Sequence, residues 1–122
     1  KFNCYASSLS LNHLTSITNI KKQVLSALED IKAFDIVSID IRKQASIADY
    51  IVIASANSSR QAKALAKNIK EKMQKINIPL IGMEGGSGSE WVLVDLGDII
   101  IHIMTPTIRA HYNLEELWVS DN

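Results

Sequence analysis

Four residues in the stretch SEWVLVDLGDIIIHIM (89–104) carry side chains able to do chemistry: Trp91, Asp95, Asp98 and His102. Two carboxylates and an imidazole suit a divalent cation, which accepts oxygen and nitrogen ligands. Nothing in the sequence fixes a complete ligand set, so no metal and no cofactor is expected. The plain alternative is that both aspartates end strands and bond the turn backbone, as Asp commonly does. His102 is then a satisfied, partly buried side chain. A third reading makes Trp91 an anchor for a protein partner, since its indole offers a large rigid apolar area with one polar handle.

The hairpin geometry bears on all three. With Leu96-Gly97 as the turn, Asp95 lies opposite Asp98, Leu93 opposite Ile100, and Trp91 opposite His102. Side chains alternate along a strand, so those six residues share one face. Val92, Val94, Ile99, Ile101 and Ile103 form the other, which is apolar throughout and belongs in the core. A bulge at Gly97 would slip one strand and separate Trp91 from His102.

Other stretches offer less. In ASANSSRQ (54–61), Ser58 and Gln61 fit a capping box at a helix start. Such a start could also hold phosphate through its free N–H groups, although no glycine-rich phosphate loop is present. Arg60, Lys63, Lys67 and Lys70 fall on one stripe of the following helix. A solvated face is the default for such a stripe, and a contact with RNA phosphates is the functional reading. No aromatics are interleaved, which argues against reading of bases. Arg109 and Tyr112 lie three apart on a later helix and share a face. Leu117 and Trp118 read as pins for the C-terminal end. No serine sits in a nucleophile elbow, and the single cysteine, Cys4, lies in the leader.

The elements that must position these residues follow from periodicity. Ile20, Val24, Leu28 and Ile31 recur at helical spacing from about Ile17. FDIVSIDI (34–41) and DYIVIAS (49–55) read as strands, joined by a loop through KQAS. Residues 58–76 form the strongest helix, with Ala62, Leu65, Ala66, Ile69, Met73 and Ile76 on one stripe, stopped by Asn77 and Pro79. IPLIGMEG (78–85) is a short strand entering the loop GGSGS, whose glycines suggest mobility. After the hairpin, Thr105 caps a helix with Pro106 at its first position and Asn113 as its stop. LEELW is a short helical turn. The order α-β-β-α-β-β-β-α predicts an α/β fold: a single domain over 18–122 with a mixed β-sheet flanked by helices. Residues 1–17 read as a flexible leader or a cloning remnant.

Composition fits one domain of 122 residues, 47% hydrophobic and 21% charged, with no apolar run near the roughly 20 residues that span a bilayer. One cysteine argues for a reducing compartment, which points to the cytoplasm. Net charge is zero, which argues against a chain built around nucleic-acid affinity. The charge is unevenly placed, however: residues 60–75 hold six basic groups against Glu71, and from Pro79 onward seven acids face only Arg109. Two different surfaces are expected.

From about Lys22 to Trp118 the chain resembles the ribosomal silencing factors, also called the Iojap family. The resemblance rests on DIVSIDI, SIADYIVI, SSRQ, Glu84-Gly85, WVLVDLGD with IIIH, and the R-x-x-Y-x-LE-x-LW pattern that begins at Arg109. It implies a nucleotidyltransferase-like fold without catalysis, because the residues after Ser58-Ser59 are Arg, Gln and Lys where a metal-binding carboxylate pair would be needed. It implies a translation repressor that binds the large ribosomal subunit through ribosomal protein uL-fourteen and blocks joining of the small subunit. Trp91 matches the family's tryptophan on that contact surface. Leu93, Asp95, Asp98, His102, Arg109 and Tyr112 are the further partner-binding candidates. Arg60, Lys63 and Lys67 are candidates for a peripheral ribosomal RNA contact. A homodimer through the Trp91 face is a further expectation. The competing expectation is a nucleotide- or metal-dependent enzyme using Asp95, Asp98 and His102.

Overall fold

The computed structural model describes residues 17–85 and 88–116. The leader before Ile17, Gly86 and Ser87 of the glycine loop, and Leu117 and Trp118 lie outside them. The element order is the expected one: α1 (Ile17–Asp30), β1 (Phe34–Asp40), β2 (Tyr50–Ser55), α2 (Ser59–Lys75), β3 (Gly82–Glu84), β4 (Trp91–Asp95), β5 (Ile99–Met104) and α3 (Pro106–Tyr112). The strands form one five-stranded sheet in the order β1-β2-β5-β4-β3. Only the central β2–β5 pair is parallel. β1–β2, β4–β5 and β3–β4 are antiparallel, so the sheet is mixed.

The central pair explains its own sequence. A parallel pair covered on both faces needs apolar residues at successive positions, not alternate ones. YIVIAS is accordingly buried at every position after Tyr50. Val52 and Ala54 join Val92, Val94, Ile99, Ile101 and Ile103 in the larger core, under α1 and α2. Ile51 and Ile53 point the other way, into a smaller cluster with Ile39, Ile41, Ala48 and Met104.

Each helix has its local reasons. α1 buries Ile20, Val24, Ala27 and Leu28, and α2 buries Ala62, Leu65, Ala66, Ile69 and Met73. Full burial of each large aliphatic side chain contributes about 1.5–3 kcal/mol. Ser58 caps α2 by accepting from the Gln61 N–H at 3.2 Å. Gln61 reaches back as a capping box does, though to the N–H of Asn57, one residue before the cap. Its amide also donates to the Ile31 carbonyl at 2.8 Å, which ties the start of α2 to the chain leaving α1. Lys72, outside the stripe of Arg60, Lys63, Lys67 and Lys70, pairs with Asp30 and donates to Ser26 of α1. Among the described residues no helix is long and apolar enough to cross a membrane.

The hairpin register corrects the expectation. Leu93 faces His102, Asp95 faces Ile100 and Trp91 faces Met104. Leu96 and Ile99 close the hairpin with a 2.9 Å bond, so the two-residue loop is Gly97-Asp98, not Leu96-Gly97. Gly97 adopts a φ of 91°, which L side chains rarely adopt. The Asp95 carboxylate accepts from the Gly97 N–H at 2.8 Å and fixes that loop.

Candidate functional site

Shifting the register by one loop residue moves each partner by two positions, and side-chain direction repeats every two. The shared face therefore survives, with Met104 in place of Asp98. Trp91, Leu93, Asp95, Ile100 and His102 are half-buried on one side of the hairpin. Val92, Val94, Ile99, Ile101 and Ile103 are buried on the other.

Trp91 is fixed from three directions. Its indole N–H donates to Nδ1 of His102 at 3.1 Å, across the diagonal of the β4–β5 ladder. Its ring lies 4.9 Å from that of Tyr112 on α3, tilted by 50°. Tyr112 in turn meets His111 edge-on at 4.8 Å. The backbone of Trp91 is clamped by Ser89, whose hydroxyl donates to its carbonyl at 2.7 Å and accepts from its N–H. Gly85 crosses so close that an added Cβ would stand 2.6 Å from the Trp91 carbonyl oxygen, and its φ is 100°. Only glycine fits there.

His102 is neutral at Nδ1, as an acceptor must be, with its proton on Nε2. Burial pushes its pKa below the usual histidine value. Leu93 lies beside it in the ladder, and Glu84 is next across on β3. This face thus shows a tryptophan, a tyrosine that is 52% exposed, and an exposed carboxylate at Glu84. Rigid aromatics with an exposed acid beside them suit docking to a protein surface.

The remaining candidates lie elsewhere. Asp95 is engaged in the turn, and Asp98 is exposed in the loop, with its carbonyl accepting from the N–H groups of Asp49 and Tyr50. Asp95 sits four residues along β4 from Trp91, about 13 Å at strand rise. Asp95, Asp98 and His102 do not converge, and no cluster of three or more His, Cys, Asp or Glu that could hold a metal occurs among the described residues. The Arg109 side chain diverges from Tyr112. It pairs with Glu115 at 3.0 Å and donates to the Ser55 hydroxyl at 2.8 Å and to the Asp35 carbonyl. That carbonyl is presented by a bulge in β1, where Asp35 has a φ of 50°. Arg109 thereby pins α3 to the end of the sheet.

Several residues hold the site in ways that their place in the sequence did not announce. Thr105 is the positional cap of α3, yet its side chain makes no capping bond. Its hydroxyl donates instead to the Glu90 carboxylate at 2.9 Å, and its N–H to the Glu90 carbonyl, locking the strand ends beside Trp91. Asn113 ends α3 in the left-handed conformation, as its position suggested. Gly85 had one visible signal, its place in Glu84-Gly85 ahead of the tryptophan. The contact it makes is across a loop and has no periodicity.

Arg60, Lys63, Lys67 and Lys70 are all exposed on α2, behind the sheet from Trp91. At the sheet edge beside β1, a second charged group is closed on itself. Arg42 clamps Asp40 at 2.6 Å and holds its carboxyl at about 2, while Lys21 and Arg42 flank the Tyr50 ring.

Residues 14–122 match the family described as ribosomal silencing factor during starvation. A ribosomal silencing factor from Chromobacterium violaceum is 41% identical over 102 residues, covering 84% of each chain. One from Bacillus subtilis is 39% identical, covering 82% of this chain and 85% of its own. A crystal structure of a Chromobacterium violaceum protein superposes with a TM-score of 0.83 at 39% identity, covering 88% of this chain and 89% of the other.

Proposed function

The chain belongs to the ribosomal silencing factor family of ribosome-associated translation regulators, and on that premise we propose that it is a docking module, not an enzyme. Its Trp91 face seats on uL-fourteen of the large subunit and bars the small subunit by occupying the surface where it docks. The observation that carries this reading is the preformed aromatic site. Trp91 is held by His102, Tyr112, Ser89 and Gly85 before any partner arrives, so little side-chain freedom is lost on binding. The exposed Glu84 beside it would complement a basic group on the partner.

Arg60, Lys63 and Lys67 add an auxiliary contact with ribosomal RNA, supported by their exposure on one helical stripe. Self-association through the Trp91 face, displaced by the ribosome, belongs to the same reading, as does action in the cytoplasm. The nucleotide- or metal-dependent alternative is disfavoured by the engagement of Asp95 in the turn.

Light scattering of recombining ribosomal subunits tests the block. Added protein should lower the association amplitude, and free uL-fourteen should restore it. Binding to the large subunit with unhindered joining would leave a docking protein that does not silence. Heat on titration with nucleoside triphosphates and Mg²⁺ would reopen the enzymatic alternative.

A further inference from the structure

Among the described residues β3 is an edge strand, with β4 as its one ladder partner. Edges are normally blunted by charge, proline or a covering element, because unpaired N–H and C=O groups recruit further strands. β3 is short and holds one charge, Glu84, but the other exposed side chains at this edge are apolar. Ile81, 68% exposed, precedes the strand, and Met83, 40% exposed, lies within it. Met83 is paired with Val94, so it leans towards the α2 side, whereas Glu84 is paired with Leu93 and belongs to the Trp91 side. Between this edge and the end of α2 runs a trough of about 510 Å³, lined by Lys70, Gln74, Pro79, Leu80, Gly82 and Met83. A second hollow of about 390 Å³ continues it past Ile78.

The charge of the trough is one-sided. Lys70 stands at its rim, at the end of the stripe from Arg60 through Lys63 and Lys67. The ion pairs among the described residues join Arg42 to Asp40, Lys72 to Asp30 and Arg109 to Glu115, and none of them neutralises that stripe. The acid of β3, Glu84, faces the other way.

We propose that this trough is a second docking site, for an extended segment of a partner protein that adds to β3 as a sixth strand and carries large apolar residues and an acid at every second position, those that face α2. Main-chain bonds to the open edge supply affinity, and alternate side chains enter the hollow beside Met83 and Leu80. An acid on that same face of the segment meets Lys70. A nucleic acid would use the stripe but leave Ile81 and Met83 exposed, so a peptide accounts for more of the surface. The site lies on the opposite side of the sheet from Trp91 and stands independently of the function proposed above.

A phage-displayed library of random dodecapeptides, selected on the folded full chain carrying Trp91→Ala, tests this without using the aromatic face as bait. Enriched sequences should carry apolar residues and an acid at every second position, on one face of the strand. As synthetic peptides they should shift the amide resonances of Gly82–Glu84 and bind at least about tenfold more weakly to Ile81→Asp and to Lys70→Glu. Both changes are at exposed positions, and circular dichroism confirms that the fold is kept. Absence of enrichment, peptides without acids, or equal binding to the two variants would overturn the proposal. So would displacement of the peptides by a single-stranded RNA oligonucleotide, or a dimer in sedimentation that Ile81→Asp dissolves.

Discussion

The two faces of the β4–β5 hairpin are made from alternate residues of the one stretch Trp91–Met104, yet they do opposite work. On one, Val92, Val94, Ile99, Ile101 and Ile103 vanish beneath α1 and α2. On the other, Trp91, Leu93 and His102 stay half-open, covered in part by the short α3. The first face is held by non-directional burial and tolerates no polar atom. The second is held by directed bonds, from the indole to His102, from the Ser89 hydroxyl to the Trp91 carbonyl, from the Thr105 hydroxyl to the Glu90 carboxylate, and from Arg109 to the sheet end. Stability and docking can therefore be separated by mutation, one face at a time.

Four substitutions would break or sharpen that separation. Ile101→Ala, in the buried face, should cost about 2–5 kcal/mol of stability through lost burial and a cavity. Urea denaturation reads it, and large-subunit affinity of the fraction still folded should be unchanged. Trp91→Ala should reverse the pattern, weakening large-subunit binding by about 2 kcal/mol or more with a smaller loss of stability. If the two variants lose stability equally, the faces are not distinct.

Gly85→Ala drives a Cβ against the Trp91 carbonyl at a positive φ, and should cost about 1–3 kcal/mol. Its mark would be a loss of affinity together with stability, because the clamp on Trp91 and the fold strain as one. The smallest effect is that of pH. Burial lowers the pKa of His102 in the folded chain, so the unfolded chain binds the proton more readily. Its contribution to stability is complete above the unfolded value near 6.5, and is lost as pH falls through the lower folded value. Protonated Nδ1 can no longer accept from the indole, so docking should weaken in the same window. Imidazole resonances followed by NMR would show it, and His102→Phe should abolish that dependence.

How much of this was legible in the sequence differs between the two faces as well. The apolar face was readable because burial imprints itself residue by residue, at period two in VLVD and as a near-continuous run in YIVIAS. The element order and the caps at Ser58 and Asn113 were readable for the same local reason. The register was not, since Leu96-Gly97 and Gly97-Asp98 both make a short loop and alternation alone cannot choose between them. The bond from Asp95 to Gly97 chooses, and it belongs to the folded turn. That error left the face intact because two positions are one full period. Asp98 was the casualty, moving from the face into the loop.

What holds Trp91 was mostly invisible. Gly85, Ser89, Glu90 and Thr105 act across a loop or between strand ends, where no spacing announces a contact. Arg109 was recognised as special but not as a pin, because Ser55, Asp35 and Glu115 come together only when α3 folds back on the sheet.

The most direct test of the central claim is the affinity of Trp91→Ala for isolated large ribosomal subunits, measured by co-sedimentation beside a denaturation curve of the same preparation. Docking through the aromatic face predicts a folded protein that binds at least about thirtyfold more weakly. A folded variant that binds as the parent does would contradict it.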